Sequence, residues 1–128
     1  MLFRSKSSKN FGVKIAQLKD KKDDKKFLQE TLVGYDVRKQ QLYLDRTKSG
    51  KIIQPNFASV EVADMKMQGK AVKMKILVDK TSVEVFGNDG RVTISDLIFP
   101  DKEANIFSLF TNGGKVKVKF LKISDLSN

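Results

Sequence analysis

Apolar and polar residues alternate most clearly within residues 76–100, on both sides of a short glycine-containing segment. Alternation of this kind is typical of β-strands with one buried face. The intervening residues 87–90 include Asn88 and Asp89, which tolerate the left-handed backbone angles of tight turns. A β-hairpin is therefore predicted here. The alternating apolar residues are Val83 and Val85 before the turn, and Val92 and Ile94 after it.

The same pattern extends upstream of this hairpin. Residues 79–82, Asp-Lys-Thr-Ser, supply side chains that hydrogen-bond to their own backbone in turns. A third strand therefore precedes the hairpin, and the three strands are predicted to form an antiparallel meander. The apolar positions of the added strand are Val72, Met74, Ile76 and Val78.

Further segments have strand-like patterns with one apolar face. Residues 27–36 and 41–45 are predicted to pair as a second hairpin across the polar residues 37–40. The last strand begins at Val116, and a shift of its phase at Leu121 predicts a β-bulge. The predicted strands outside the meander are residues 10–18, 27–36, 41–45, 105–110 and 116–123.

Several segments between the strands carry turn chemistry. Residues 46–50 are predicted to form a polar turn, and residues 111–114 a hairpin turn. Residues 51–57 contain Pro55, which cannot donate to a sheet, so a loop or an edge strand is expected. Residues 59–67 fit neither period, and a loop is favoured over a short helix. The predicted turn residues are Gly50, Asn88, Asp89, Gly90, Asn112, Gly113 and Gly114.

Many short strands, regularly spaced turns and the lack of a convincing amphipathic helix predict an all-β fold. We expect two antiparallel sheets packed as a jelly-roll or concanavalin-like sandwich, with a closed barrel as the alternative. The length of 128 residues fits one domain, residues 1–128. The first four residues resemble entry into a strand that is already running, so we expect the chain to be part of a longer protein.

The composition excludes several classes of function. The chain has no cysteine and no histidine, which rules out disulfides, thiolate zinc sites and serine–histidine catalysis. No cofactor or metal site is expected. The net charge of +10 makes anionic-polymer binding through the lysines a hypothesis. Aromatic residues do not interleave with the lysines of residues 19–26, so neither nucleic acid nor a membrane is the expected partner. No signal peptide is recognisable.

Two motifs occur in a characteristic order. Residues 30–50 contain a Gly-Tyr-Asp strand and a Leu-Asp-Arg turn that closes on Ser-Gly, and residues 78–90 read VDKTSVEVFGNDG. Together these motifs resemble the C-terminal β-sandwich module of glycoside hydrolase family 32, which includes invertases, levanases and inulinases. The resemblance covers about residues 11–124.

The resemblance implies a noncatalytic module. In enzymes of this family the catalytic residues lie in an N-terminal five-bladed propeller, within motifs that contain tryptophan and proline. This chain has no tryptophan, and its two prolines are Pro55 and Pro100, so no catalytic residue is assigned. The implied partner is the propeller of the same parent protein. That parent is expected to be a bacterial fructan or sucrose hydrolase that is secreted or bound to the cell surface. An exposed interdomain face would also allow a homodimer.

Related sandwich modules bind terminal fructose in levan, so independent fructan binding is the alternative function. An arginine beside a carboxylate can hold vicinal hydroxyls through directed hydrogen bonds. The residues nominated for such a site are Tyr35, Asp45, Arg46, Asp79 and Glu84.

Structural roles compete for the same residues. Asp45 could accept backbone N–H groups of its own turn, while Arg46 pairs with Asp79 or packs against the propeller. Glu84 could pair across the hairpin with a basic residue such as Arg91. Packing in the core or against another domain is expected for the phenylalanines Phe86, Phe99, Phe107, Phe110 and Phe120.

Overall fold

The computed structural model describes residues 2–5, 9–23, 25–50, 58–69, 71–114, 116–118 and 123–125. This part of the chain contains eleven strands and no helix: β1 (Leu2–Ser5), β2 (Asn10–Lys19), β3 (Phe27–Asp36), β4 (Gln41–Lys48), β5 (Val60–Asp64), β6 (Ala71–Val78), β7 (Ser82–Gly87), β8 (Val92–Leu97), β9 (Ile106–Asn112), β10 (Val116–Val118) and β11 (Ile123–Asp125). The predicted loop or edge at residues 51–57, the bulge at Leu121 and the packing of Phe120 lie outside the described residues.

The strands form two sheets. One is six-stranded, with the order β10-β1-β6-β7-β8 and with β11 beside β6, and the other is five-stranded, with the order β5-β4-β3-β2-β9. Neighbouring strands are antiparallel except for the parallel pair of β11 and β6. Each sheet ends on separate edge strands, so the predicted two-sheet sandwich is confirmed and a closed barrel is not formed.

The core lies between the inward faces of the sheets. Apolar residues at alternate positions point inward, and each large side chain buried this way stabilises the fold by roughly 1.5–3 kcal/mol. The aromatic rings of Phe11 and Tyr35 contact each other with centroids 5.9 Å apart. The buried residues include Phe11, Val13, Val33, Tyr35, Leu42 and Leu44 from the five-stranded sheet and Val72, Met74, Ile76, Val78, Val83 and Val85 from the six-stranded sheet.

The predicted meander is confirmed as β6, β7 and β8. Val85 pairs with Ile76 on one side and with Ile94 on the other. In the turn between β7 and β8, Asn88 and Asp89 have φ angles of 47° and 61°. The buried Asn88 side chain accepts the Lys73 N–H and donates to the Lys66 carbonyl, at 3.1 and 2.9 Å. This turn therefore ties the hairpin to the preceding strand.

Two predictions about the middle of the chain are wrong. Strand β4 continues to Lys48, so Arg46 belongs to a strand and not to a polar turn. The loop predicted for residues 59–67 contains β5, which pairs antiparallel with β4. Val60, Glu61 and Val62 are all exposed, because β5 is an edge strand. A strand without a buried face shows no alternation, which is why the sequence pattern did not reveal it.

The hairpin predicted at residues 111–114 is also wrong. Gly113 has a φ of 76°, as expected for a turn. However, β9 pairs with β2 in one sheet, while β10 pairs with β1 in the other. The residues between β9 and β10 therefore carry the chain across the sandwich. Asn112 is the last residue of β9.

The phenylalanines occupy different positions from those expected of core residues. Among the described residues, Phe11 is the phenylalanine in the buried cluster. Phe107 is 36% exposed, and Phe86, Phe99 and Phe110 are half-buried. The core part of that prediction is wrong for these four residues, and packing against another domain stays a prediction.

Candidate functional site

Two charged side chains point inward where β4 and β8 approach their ends. Arg46 follows Leu42 and Leu44 in the inward-facing series of β4, and Asp96 follows Ile94 in that of β8. Residues two apart in a strand share a face, so both side chains face the opposite sheet. The Arg46 and Asp96 side chains are only 13% and 10% exposed. An arginine from one sheet thus meets a carboxylate from the other.

Arg46 connects the two sheets through several contacts. Its Nε lies 3.8 Å from Asp96 Oδ2, and its Nη2 lies 3.9 Å from Glu61 Oε1. Nη1 donates to the Leu97 carbonyl at 3.0 Å, and Nε donates to Ser59 Oγ at 3.3 Å. These partners belong to β5, β8 and the segment before β5. The guanidinium is therefore fixed at the junction between the sheets, here called the seam.

The Asp96 carboxyl is under electrostatic strain at the seam. Its Oδ2 is buried and has no hydrogen-bond partner within the described part of the chain. Burial raises the pKa of Asp96 above its ordinary value, Arg46 opposes this shift, and Glu61 adds to it. A buried oxygen without a hydrogen bond costs free energy, so Asp96 retains unused acceptor capacity.

A groove of about 450 Å³ opens next to the seam. In the hairpin formed by β7 and β8, Ser82 pairs with Leu97 and Glu84 pairs with Ser95, so these four residues share the outer face. Leu97 is 50% exposed and supplies an apolar wall. The groove therefore combines hydroxyls, carboxylates and apolar surface. Its lining residues are Arg46, Ser82, Val83, Glu84, Ser95, Asp96 and Leu97.

Of the five residues nominated for carbohydrate binding, the groove brings together Arg46 and Glu84. Tyr35 is fully buried, and its hydroxyl donates to the Met65 carbonyl at 2.6 Å. Tyr35 therefore offers no surface to a ligand, and its nomination is corrected.

The other two nominated residues accept hydrogen bonds from neighbouring residues in their own segments. Asp45 accepts the Thr47 N–H at 2.9 Å and the Thr47 hydroxyl at 2.7 Å, in agreement with the local role considered for it. Asp79 accepts the Lys80 N–H at 2.7 Å in the turn between β6 and β7. The expected ion pair between Arg46 and Asp79 is wrong, because Arg46 faces Asp96 and Glu61 instead.

The expected pairing of Glu84 with Arg91 is wrong as well. The register places Glu84 between Leu77 and Ser95, whereas Arg91 lies in the turn at the far end of the hairpin. Within the described ranges, Glu84 takes part in no ion pair, and its side chain is exposed. Its carboxylate therefore remains available at the groove wall.

Asp96, Glu61, Ser82 and Ser95 were not nominated from the sequence. A signal for Asp96 was nevertheless present, because Val92, Ile94 and Asp96 occupy every second position of one strand. A carboxylate that continues an apolar face must find a partner inside, and Arg46 stands in the same relation to Leu42 and Leu44. Two charged residues of opposite sign, each continuing an inward-facing apolar series, indicate an ion pair between the sheets.

No group of three or more metal-ligating side chains that could hold a metal ion occurs among the residues that the structure describes. The same residues include no helix that is long and apolar enough to cross a membrane.

Comparison with known protein families matches residues 2–125 to the family described as "Glycosyl hydrolases family 32 C terminal". A levanase of Bacillus sp. (strain L7) is 45% identical over 101 residues, which cover 78% of this chain and 11% of the levanase. An extracellular exo-inulinase of Aspergillus awamori is 41% identical over 107 residues, covering 80% of this chain and 20% of that protein. The chain thus spans a small part of these relatives.

Two solved structures of larger proteins contain a similar fold. The crystal structure of exo-inulinase from Aspergillus awamori superposes with a TM-score of 0.78 and 38% identity, over 90% of this chain and 22% of that one. A sucrose-6-phosphate hydrolase from Lactobacillus gasseri superposes with a TM-score of 0.68 at 18% identity, and this second likeness concerns the fold alone.

Proposed function

The chain belongs to the family of glycosyl hydrolase family 32 C-terminal domains, and from that premise we propose that it is a noncatalytic module of a fructan- or sucrose-cleaving enzyme. In this proposal the module packs against the catalytic domain and stabilises it. The observation that carries the proposal is the family match over residues 2–125, together with relatives of which this chain spans only 11–20%. The remaining length of those relatives leaves room for a separate catalytic domain.

The carboxylates of the groove support a noncatalytic role. A retaining glycosidase needs two carboxyl groups about 5 Å apart on either side of the sugar bond. Here Asp96 and Glu61 lie 3.8 and 3.9 Å from the same guanidinium, so both carboxyl groups are engaged by Arg46. Glu84 lies on the other side of the hairpin from Asp96, because the two occupy opposite faces. Nothing in this arrangement resembles a nucleophile opposite a proton donor.

Incubation of the purified chain with sucrose, inulin and levan tests the noncatalytic part of the proposal. We expect no release of fructose. Turnover that follows the protein through purification and disappears in Glu84→Gln would overturn it. The packing part is tested by the reading frame that surrounds this sequence in its gene, which should encode a catalytic propeller. A gene without such a domain would contradict it.

A second candidate function is carbohydrate binding by the module itself. The groove favours it, because a fixed guanidinium, an available carboxylate and two serine hydroxyls converge there. The levanase and exo-inulinase relatives make fructans the first ligands to test. Isothermal titration calorimetry with levan, inulin oligosaccharides and fructose at millimolar concentration should detect binding, and no heat with any of them would contradict this function.

A further inference from the structure

Resting on the second candidate function, we propose that the groove at the seam binds an uncharged sugar end through Glu84, Ser95 and Arg46, which Asp96 holds in place, and that it rejects phosphorylated sugars. The proposal assigns a location, a set of residues and a specificity to the binding function. It rests on the charge, the hydrogen-bonding capacity and the shape of the groove.

The charge of the groove is opposite to that of the whole protein. The chain has a net charge of +10, yet the charged residues lining the groove are Arg46, Glu84 and Asp96. The Arg46 charge is balanced by Asp96 and also by Glu61, 3.9 Å from its Nη2. Glu84 has no ion pair among the described residues and adds a further negative charge. The groove is therefore a local acidic site on a basic protein.

An acidic groove discriminates against anions. A sugar phosphate carries up to two negative charges, which Glu84 and the other carboxylates would repel, whereas a neutral sugar pays no such cost. Basic surface elsewhere attracts anions towards the protein, so the discrimination must arise within the groove itself. Binding of fructose 6-phosphate should then be weaker than binding of fructose by roughly tenfold or more.

The hydrogen-bonding groups suit the hydroxyls of a sugar. Glu84 can only accept hydrogen bonds when ionised, while the Ser82 and Ser95 hydroxyls can both donate and accept. Asp96 Oδ2 is buried without a hydrogen-bond partner in the described part of the chain, and its side chain is 10% exposed. This oxygen is enclosed on the inward face of the hairpin, so Asp96 does not itself contact a ligand bound at the outer face. Asp96 holds the guanidinium in place, which makes it a positioning residue.

The shape of the groove favours one or two sugar units. Its volume of about 450 Å³ lies in the range of small-molecule sites. Leu97, which is 50% exposed, provides apolar surface for the C–H groups of a sugar ring. An open groove of this volume has room for the end of an oligosaccharide or for a free monosaccharide.

Calorimetry on the 128-residue chain tests this proposal, with fructose, sucrose and fructose 6-phosphate as probes at low ionic strength. We expect binding of a neutral sugar, and a dissociation constant for fructose 6-phosphate at least about tenfold higher. Glu84→Gln should weaken binding of the neutral sugar severalfold and reduce the difference in affinity between the two sugars, because it removes a negative charge. Added salt should reduce this difference too, because it screens the remaining charges. Ser95→Ala should weaken binding of the neutral sugar but leave the preference over fructose 6-phosphate unchanged.

Asp89→Asn is the matched control. It removes a carboxylate from the same hairpin, but at the turn, which is the end farthest from Ser82 and Leu97. Equal affinity for the two forms of fructose, or sugar binding unaffected by Glu84→Gln and Ser95→Ala, would overturn the groove assignment and leave carbohydrate binding elsewhere on the module intact. No heat with any neutral sugar would overturn the binding function and this proposal together.

Discussion

The outer faces of the two sheets differ in character. On the hairpin of β7 and β8, the outer face carries Ser82, Glu84 and Ser95, which line an open polar groove. The register of the five-stranded sheet instead aligns an outer row with little polarity. From one edge to the other, this row consists of Val62, Tyr43, Gly34, Gly12 and Phe110.

The apolar row is closely packed. A Cβ atom at Gly34 would collide with the ring of Tyr43, so the ring lies directly over the glycine. Val62 remains 56% exposed at the edge of the row. Lys14, next to the row, is held 3.7 Å from Glu30 and lies 5.9 Å above the Phe110 ring.

The two outer faces suit two different parts of the proposed function, namely contact with another domain and binding of a ligand. A face with flat aromatic surface and internally paired charges suits contact with another domain, because little polar surface loses water there. A face that carries two serine hydroxyls and a carboxylate without an ion pair among the described residues suits a polar ligand. The Arg46 seam joins the two sheets, so its strength bears on both faces.

The largest effect is expected from Arg46→Ala. The substitution leaves the nine-tenths-buried Asp96 without its cation and should lower the free energy of unfolding by about 3 kcal/mol or more. Urea denaturation measures the change. Lys73→Ala is the control, because its ion pair with Asp89 joins side chains that are 45% and 68% exposed. That control should cost about 1 kcal/mol or less. Equal losses in both variants would show that the seam contributes no more than a surface pair.

Gly12→Ala tests the close packing of the five-stranded sheet. An alanine Cβ there would collide with the Val33 carbonyl oxygen and approach Gly34 Cα to 2.6 Å. Because these are backbone atoms, the strands must separate, at a cost of about 3 kcal/mol in thermal or urea unfolding. Gly69→Ala has no atom within 4 Å and a φ of +66°, so only backbone strain of about 1 kcal/mol is expected. The reverse order would contradict this account.

A smaller effect should reveal the contact between Tyr43 and Gly34. Gly34→Ala displaces the Tyr43 ring and should cost roughly 1–2 kcal/mol in the native background. In a Tyr43→Ala background the obstacle is gone, so the same change should cost about 1 kcal/mol less. A double-mutant cycle measures this coupling. Additive effects would mean that the ring does not rest on the glycine.

Local sequence signals explain which strands could be predicted. The meander of β6 to β8 combines alternating apolar residues with turn residues, and both act over short distances. Val60, Glu61 and Val62 in β5 carry no such alternation, because an edge strand buries neither face there. At Gly113, turn chemistry correctly indicated a reversal of the chain. It could not indicate that the next strand joins the other sheet, since that depends on tertiary packing.

The candidate site illustrates the same limit. Arg46 and Glu84 were nominated through a family resemblance, and the groove brings them together. Asp96 lies 50 positions from Arg46, and only the packing of two sheets brings the pair together. Arg46 and Asp96 are each recognisable in the sequence as a charged residue within an inward-facing apolar series. The sequence does not show that these two residues contact each other.

The smallest expected effect concerns the pH dependence of stability at Asp96. Burial raises the pKa of Asp96 above its ordinary 3.8, so the folded chain takes up a proton at higher pH than the unfolded chain does. The contribution of this group to stability should therefore rise as the pH falls from neutral through the folded pKa towards 3.8, and stay constant below that value. Asp96→Asn removes the titration. The difference in unfolding free energy, native minus Asp96→Asn, should accordingly increase from pH 7 to about pH 4. Urea denaturation across this range measures the difference, with the exposed Asp89→Asn as the control for loss of a carboxylate. A difference that falls towards acid would mean that attraction to Arg46 outweighs burial, and that the seam is strongest when Asp96 is ionised.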